Sequence, residues 1–193
     1  MEILVVLGFT VLAYLLGSVS TAIITCKLMR LPDPRTEGSG NPGATNVYQI
    51  AGKKAAIITL LGDLLKGFIP VTVAWLVGLE ELGLAMVAMA AFLGHLYPVF
   101  YAFKGGKGVA TAFGVILGLN GLVALIMLLS WLLVYKAFKL SSLAALVTSL
   151  LTPLYFYIID GSLIYTGIAS VITTFIFYSH RSNIVKIIDG TED

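Results

Sequence analysis

Charge is scarce in this sequence. Aspartate, glutamate, lysine and arginine together make up 11% of its 193 residues, against about 25% in an ordinary soluble domain. Histidine occurs only as His95 and His180, and cysteine only as Cys26. A lone cysteine excludes an intramolecular disulfide, and two histidines with it make no metal-type spacing, so neither a metal nor another cofactor is expected. Cys26 is read as an inert thiol within a helix. The net charge of +2 gives no basic surface for a nucleic acid, which is therefore not an expected partner. No repeat, low-complexity tract or soluble domain is visible, and no protein partner is implied.

Long apolar runs are what the chain has instead, with 59% of residues hydrophobic. They extend from Ile3 to Thr25, Ala55 to Leu79, Leu82 to Phe103, Val109 to Leu119, Leu122 to Tyr135, Leu140 to Ile159 and Leu163 to Ser179. Several approach the roughly 20 residues that a transmembrane helix requires. The first has no Lys or Arg before it, unlike a secretory signal peptide, and is read as a retained span. The fourth and fifth are short, and Gly118-Leu119-Asn120-Gly121 between them looks like a turn, so either one long tilted helix or two short ones would fit. Charge placement decides. With an outer turn at Asn120 and the N-terminus outside, Lys27, Arg30, Arg35, Lys53, Lys54, Lys104, Lys107, Lys136, Lys139, Arg181 and Lys186 all fall on the inner side, which leaves only Lys66, within a span. That is the bias of the positive-inside rule. The expected fold is an all-α, polytopic membrane bundle of seven helices, two of them short, with the C-terminus inside and residues 1–193 forming one domain.

The polar, glycine-rich segments then share the inner face. Gly38-Ser-Gly-Asn-Pro-Gly43 has the G-x-G-x-x-G spacing of a dinucleotide site, but Leu31-Pro-Asp-Pro-Arg-Thr-Glu37 before it cannot form the required central strand. Asn41 can instead cap a helix with Pro42 at its first position. The glycines before such a helix expose backbone N–H groups to an anion, with Ser39, Thr45 and Asn46 as further donors and Arg35 as a fork-shaped charge. A second segment, Phe103-Lys-Gly-Gly-Lys-Gly-Val-Ala-Thr111, places two lysines and three glycines ahead of the next helix. It is not a Walker A loop, because Tyr101 and Gly108 stand where that motif needs Gly and Ser or Thr. A plain basic loop facing anionic lipid would explain its lysines but not its glycines. The tail adds His180, Arg181 and Asn183. Three phosphate-suited segments on one face point to one anionic site.

Asp63 and Lys66 lie within a span at i, i+3 spacing and can pair on one helix face, either as a structural ion pair or as part of the site. His95 reads as an interior histidine with its hydrogen bonds satisfied.

Arg35–Asn46 (RTEGSGNPGATN), Gly62–Gly67 (GDLLKG), Gly94–Phe100 with Phe103–Thr111, and His180–Glu192 (HRSNIVKIIDGTE) together resemble the PlsY family, bacterial membrane glycerol-3-phosphate acyltransferases that use acyl phosphate as donor. The resemblance spans nearly the whole chain; Lys186-Ile187 stands where Arg-Leu would be expected. It implies transfer of a fatty acyl group from acyl phosphate to the 1-hydroxyl of sn-glycerol 3-phosphate, giving lysophosphatidic acid at the cytoplasmic face of the bacterial inner membrane. It implies that the Arg35 and Ser39 segment is essential, that the loop Lys104, Gly105, Gly106, Lys107, Gly108 binds glycerol phosphate, and that His180 and Asn183 contribute to activity, while Glu192 looks structural. The expected catalytic residues are Ser39, His180, Asn183 and Asp63. The expected substrate-binding residues are that loop with Arg35, Gly40, Asn41, Gly43, Thr45, Asn46, Thr111, Ser142 and Arg181. A small-anion transporter is the alternative class, since positive helix ends at a broken span are a transporter pattern.

Overall fold

The computed structural model describes residues 2–192. Its helices are α1 (Glu2–Gly17), α2 (Thr21–Leu28), α3 (Ala44–Leu76), α4 (Glu81–Leu96), α5 (Val109–Leu119), α6 (Gly121–Phe138), α7 (Ser141–Tyr155), α8 (Leu163–Ser179) and α9 (Arg181–Ile188), with a 3₁₀ turn at Val99–Tyr101 and a π turn at Phe156–Asp160. No strand occurs among the described residues. The chain divides into two compact units, one reaching Gly118 and one from Leu119 onward.

Every apolar run of the sequence is helical, and the surface carries the large side chains. Ile3, Leu4, Leu76, Leu133 and Leu163 are exposed, whereas Ala13, Ala22, Ala74, Ala88 and Ala91 are fully buried. A water-soluble fold would reverse that arrangement; in lipid, small residues belong between helices because they let backbones approach. The lengths of α3, of α4 with its 3₁₀ turn, of α6 and of α7 with its π turn each suffice to cross a membrane, and the bent pairs α1 with α2 and α8 with α9 raise the number to 6. The fourth apolar run, α5, has 11 residues, about 16 Å of helix against a hydrocarbon core of about 30 Å. The fifth is not short: α6 has 18 residues, because it starts at Gly121 and continues through Lys136-Ala-Phe138. The turn at Asn120 is real. Asn120 caps α6, its Oδ1 accepting from the N–H groups of Leu122 and Val123.

In the first unit, helices cross where glycines face backbone. A Cβ at Gly17 would overlap the carbonyl of Ala91, and one at Gly94 would overlap the carbonyl of Tyr14, so α1 and α4 lock through reciprocal glycines. Gly67 and Gly114 stand in the same relation to Thr111 and Leu64, which locks α3 to α5. The bend of 43° between α1 and α2 falls at Ser18-Val19-Ser20. Ser18 Oγ bonds back to the Tyr14 carbonyl at 2.8 Å, and Ser20 caps α2. Within α3, Gly52 takes φ 82°, a left-handed conformation that interrupts the helix. This break separates a short polar helix, residues 44–51, from the span that starts at Lys53. Buried Ala22, Cys26, Val47, Ala55 and Ala56, with Met29 and Leu31 against them, join α2 to the two parts of α3.

In the second unit α6, α7 and α8 pack in sequence. Pro153 within α7 cannot donate to the carbonyl of Ser149. Thr173 of α8 donates to that carbonyl at 2.6 Å instead, as a proline-containing span requires in lipid.

Candidate functional site

The first unit carries two loops of the sequence motifs. In the loop from Leu31 to Gly43 the turns are drawn by main-chain bonds from Thr36 N to Asp33 O (3.1 Å) and from Gly40 N to Glu37 O (3.1 Å). Gly38 and Gly40 take φ 60° and 70°, which only glycine adopts without strain. The following helix starts at Ala44, and its cap is Gly43, with no side-chain hydrogen bond. Asn41 is therefore not the cap, and Pro42 is not the first helical residue. Asn41 instead turns inside the loop, its N–H donating to Ser39 Oγ at 3.4 Å and its carbonyl accepting from Gly43 N at 2.9 Å.

Asn46 ties the loop to its helix. Its Oδ1 accepts from Ser39 N at 2.9 Å, and its Nδ2 donates to the carbonyls of Pro34 (2.8 Å) and Glu37 (3.1 Å). With 2% exposure and both amide hydrogens engaged, Asn46 is a strut of the loop and not a donor for substrate. Arg35 is also partnered: Nε and Nη2 grip both oxygens of Asp33, the shortest bond being 2.6 Å. These bonds hold the Asp33 carboxyl below its ordinary range, and Asp33 in turn raises the pKa of the guanidinium. Arg35 is thus a cation already paired within its own loop. Ser39 of this loop and Thr45 of the first turn of α3 are exposed.

The second loop hangs from the end of α4. Gly105 N donates to Leu96 O (3.1 Å) and Gly106 N to His95 O (3.3 Å), so these two N–H groups do not face an anion. Ala102 and Phe103 enter the loop at φ 53° and 58°, rare for residues with side chains, and Gly108 leaves it at φ 85°. Residues held this way concentrate at functional sites. Lys104 is exposed, and α5 starts immediately after Gly108, so the N–H groups of its first turn have no intrahelical acceptors. That is the anion-attracting end of a helix. Thr111 is fully buried, and its hydroxyl donates to the carbonyl of Asp63 at 2.9 Å. It braces α5 on α3 and has no reach to a substrate.

The two loops meet. A Cβ at Gly106 would stand 3.3 Å from the carbonyl of Pro42 and would overlap His95 Nε2. Behind them lies the charge cluster of the spans: Asp63 Oδ1 pairs with Lys66 Nζ at 2.8 Å and accepts from Thr21 Oγ1 at 2.6 Å, while Lys66 Nζ also donates to Val19 O at 2.8 Å. Asp63 and Lys66 are 3% and 5% exposed. The expected i, i+3 pair therefore exists, and it is structural in its contacts. His95 differs from its sequence reading: its Nδ1 is 3.5 Å from Asp63 Oδ1 and has no hydrogen-bond partner.

In the second unit, Ser142 lies in the first turn of α7, buried and with its Oγ unpartnered. Thr173 faces Ser149 across antiparallel α7 and α8, so two turns further along both helices bring Ser142 level with His180. His180 ends α8 and opens α9, 4% exposed. Its Nδ1 donates to Ile176 O at 2.8 Å. That bond selects the tautomer whose Nε2 carries the lone pair. Arg181 lies over the ring of Tyr178 at 4.7 Å and donates to the Tyr178 carbonyl. Asn183 Nδ2 donates to Glu192 Oε1 at 2.5 Å, which ties the tail to α9.

Residues 7–190 match the family described as glycerol-3-phosphate acyltransferase. A protein of that name from Thioalkalivibrio sulfidiphilus (strain HL-EbGR7) is 56% identical over 180 residues, 93% of this chain and 89% of the relative. Another from Ruthia magnifica subsp. Calyptogena magnifica is 52% identical over 182 residues, 94% of this chain and 92% of the relative. Two crystal structures of PlsY (YgiH), an integral membrane glycerol 3-phosphate acyltransferase, are similar throughout. The glycerol 3-phosphate form has a TM-score of 0.93 at 39% identity, and the lysophosphatidic acid form 0.90 at 38%, each covering 97% of this chain and 94% of the other. By its matched length and by these relatives, the chain is a multi-pass membrane protein that belongs to the glycerol-3-phosphate acyltransferase family.

Proposed function

We propose that the protein transfers a fatty acyl group from acyl phosphate to the 1-hydroxyl of sn-glycerol 3-phosphate, giving lysophosphatidic acid and inorganic phosphate. The observation that carries this reading is the meeting of two glycine loops at Gly106 and Pro42, beside the N-terminus of α5 and Lys104. Phosphate is the group such a helix end and an exposed lysine attract. Similar PlsY structures described as glycerol 3-phosphate and lysophosphatidic acid forms speak for acyl transfer over the transporter alternative.

Chemically, the glycerol oxygen attacks the acyl carbonyl carbon, the bond from that carbon to the phosphate oxygen breaks, and phosphate leaves with its electron pair. Acyl phosphate is an activated anhydride, so the step needs orientation and oxyanion stabilisation more than a protein nucleophile. Ser39 Oγ is the proposed oxyanion donor, since the loop N–H groups around it are engaged within the protein. The hydroxyl proton passes to His180 Nε2 or to the substrate's own phosphate; the pairing of Asp63 with Lys66 disfavours Asp63 as that base. Arg35, Gly40, Gly43, Thr45, Lys107, Ser142 and Arg181 belong to the proposed substrate-binding shell, and Asn183 to the proposed catalytic residues with Ser39 and His180. Those of the second unit rest on the motifs that carry the resemblance. Residues 1–193 act as one acyltransferase domain in the bacterial inner membrane, with seven membrane helices of which α5 is the short one, the N-terminus outside and the site facing the cytoplasm. The support for that orientation is the one-sided placement of lysine and arginine.

The test is a purified assay with acyl phosphate and acyl-CoA compared as donors, on the parent, Lys104→Ala, Ser39→Ala and His180→Ala. Turnover of acyl phosphate with loss in the variants is expected. Turnover of acyl-CoA alone overturns the donor, and unchanged rates in all variants overturn the site. Mass spectrometry that traps acylated Ser39 after donor alone would overturn direct transfer.

A further inference from the structure

We propose that His95, set against the Asp63–Lys66 pair, is a positioning residue for the glycine loop: its imidazole is the wall that fixes where Gly106 lies relative to Pro42. The inference rests on the reading that the Lys104–Gly108 loop binds the phosphate of glycerol 3-phosphate.

His95 holds this loop in two ways. Its carbonyl accepts the N–H of Gly106 at 3.3 Å. Its ring lies so close that a Cβ at Gly106 would overlap Nε2 and come within 2.9 Å of Cε1. A Cβ at Gly105 would overlap the His95 carbonyl and stand 2.6 Å from that of Leu96. The glycines are thus required by what lies beneath them, a need that a merely basic loop would not have. On the far side of the ring, Nδ1 faces Asp63 Oδ1 at 3.5 Å, and that carboxylate is fixed by Lys66 and Thr21. The imidazole is therefore wedged between a buried ion pair and the loop, and 6% exposed. The ring is held by the two surfaces it separates.

His95 does not act on substrate directly. The cavity that it lines with Ser18, Ser20, Lys66, Gly105 and Gly106 is about 10 Å³, about one water and far too small for a phosphate. Its influence passes through the loop backbone. Loss of the wall lets the loop sink, which weakens recognition of glycerol 3-phosphate but leaves the acyl donor's binding alone.

The experiment measures KM for each substrate and kcat in the purified full-length enzyme. His95→Ala is expected to raise KM for glycerol 3-phosphate about tenfold or more, with KM for acyl phosphate and kcat within about threefold. A merely structural role would lower the active fraction and kcat with both KM values unchanged, and that result overturns the proposal. His95→Gln, which keeps volume and a polar end but not a flat ring, is the second variant should His95→Ala not fold, and the same split is expected. Gly106→Ala should also raise KM for glycerol 3-phosphate. Combined with the His95 variant that folds, its effect should be smaller than the product of the two, because the added methyl no longer meets the ring; multiplicative effects overturn the wedge. Lys104→Ala separates the two readings. If it raises KM for glycerol 3-phosphate and the His95 variants do not, the wedge fails and the loop assignment stands. If Lys104→Ala leaves KM unchanged, the loop assignment fails and takes the wedge with it.

Discussion

Thr21 Oγ1 donates a 2.6 Å hydrogen bond to Asp63 Oδ1, and around that bond the interior of the first unit is organised. Thr21 opens α2, Asp63 lies in α3, Lys66 reaches from α3 to the carbonyl of Val19 at the bend between α1 and α2, and Thr111 of α5 bonds the Asp63 carbonyl. One carboxylate and its own main chain thus connect three helices.

Asp63→Ala leaves the Lys66 ammonium buried with only the Val19 carbonyl. Removing one partner of a buried pair costs about 3–5 kcal/mol. Thermal inactivation in detergent should move to a distinctly lower temperature, and Asp63→Ala with Lys66→Met should recover most of the loss. A double variant no more stable than Asp63→Ala would contradict this.

Asn46→Ala removes three hydrogen bonds from the first loop. Each carbonyl or N–H left buried without a partner costs about 1–3 kcal/mol. Asn46→Asp should be no milder, since a carboxylate cannot donate to Pro34 and Glu37 and sets a buried negative charge against their carbonyl oxygens. Limited proteolysis between Arg35 and Gly43 should accelerate in both variants, with loss of activity. Unchanged cleavage would show that Asn46 does not brace the loop.

Thr173→Val removes the donor that serves the Ser149 carbonyl above Pro153. The expected cost is about 1–2 kcal/mol in thermal unfolding. In a Pro153→Ala background the restored N–H serves that carbonyl, and Thr173→Val should cost clearly less. Equal costs in both backgrounds would disconnect the threonine from the proline.

The clamp of Arg35 on Asp33 fixes a pH dependence. The Asp33 carboxyl titrates below its ordinary 3.8 in the folded protein. Its contribution is therefore complete above that ordinary value and is lost only as pH falls below it, through the depressed folded value. The activity of Asp33→Asn relative to the parent should stay constant from pH 8 to about 5. A ratio that drifts in that range would assign the titration to another group.

Much of this was legible in the sequence, for physical reasons. Segments buried in lipid must satisfy their backbone internally, so each apolar run had to be a helix. Asn120 stood between two apolar runs, flanked by Gly118 and Gly121, and behaved as a cap. The i, i+3 spacing of Asp63 and Lys66 was enough to pair them. What escaped depended on contacts between distant segments. Asn46 looked like a donor for substrate because its bonds to Pro34, Glu37 and Ser39 arise only once the loop folds back on its helix. Thr111 looked available because nothing local announces the Asp63 carbonyl beside it. His95 looked like a satisfied core residue, and only the packing of Gly105 and Gly106 on it reveals otherwise. The glycines themselves were the available signal.

The reciprocal glycines at the crossing of α1 and α4 have a mechanical consequence. Gly17 and Gly94 leave no side chain between the two backbones, so sliding one helix along the other would drive the next Cβ into a carbonyl. In a bilayer thicker or thinner than its own, this pair adapts by leaning as one body, to the extent that the bilayer does not deform around it. The depth of the second loop, which hangs from the end of α4, then follows the lean of the pair, so acyl-chain length in the host membrane becomes a control on how far that loop stands from the water.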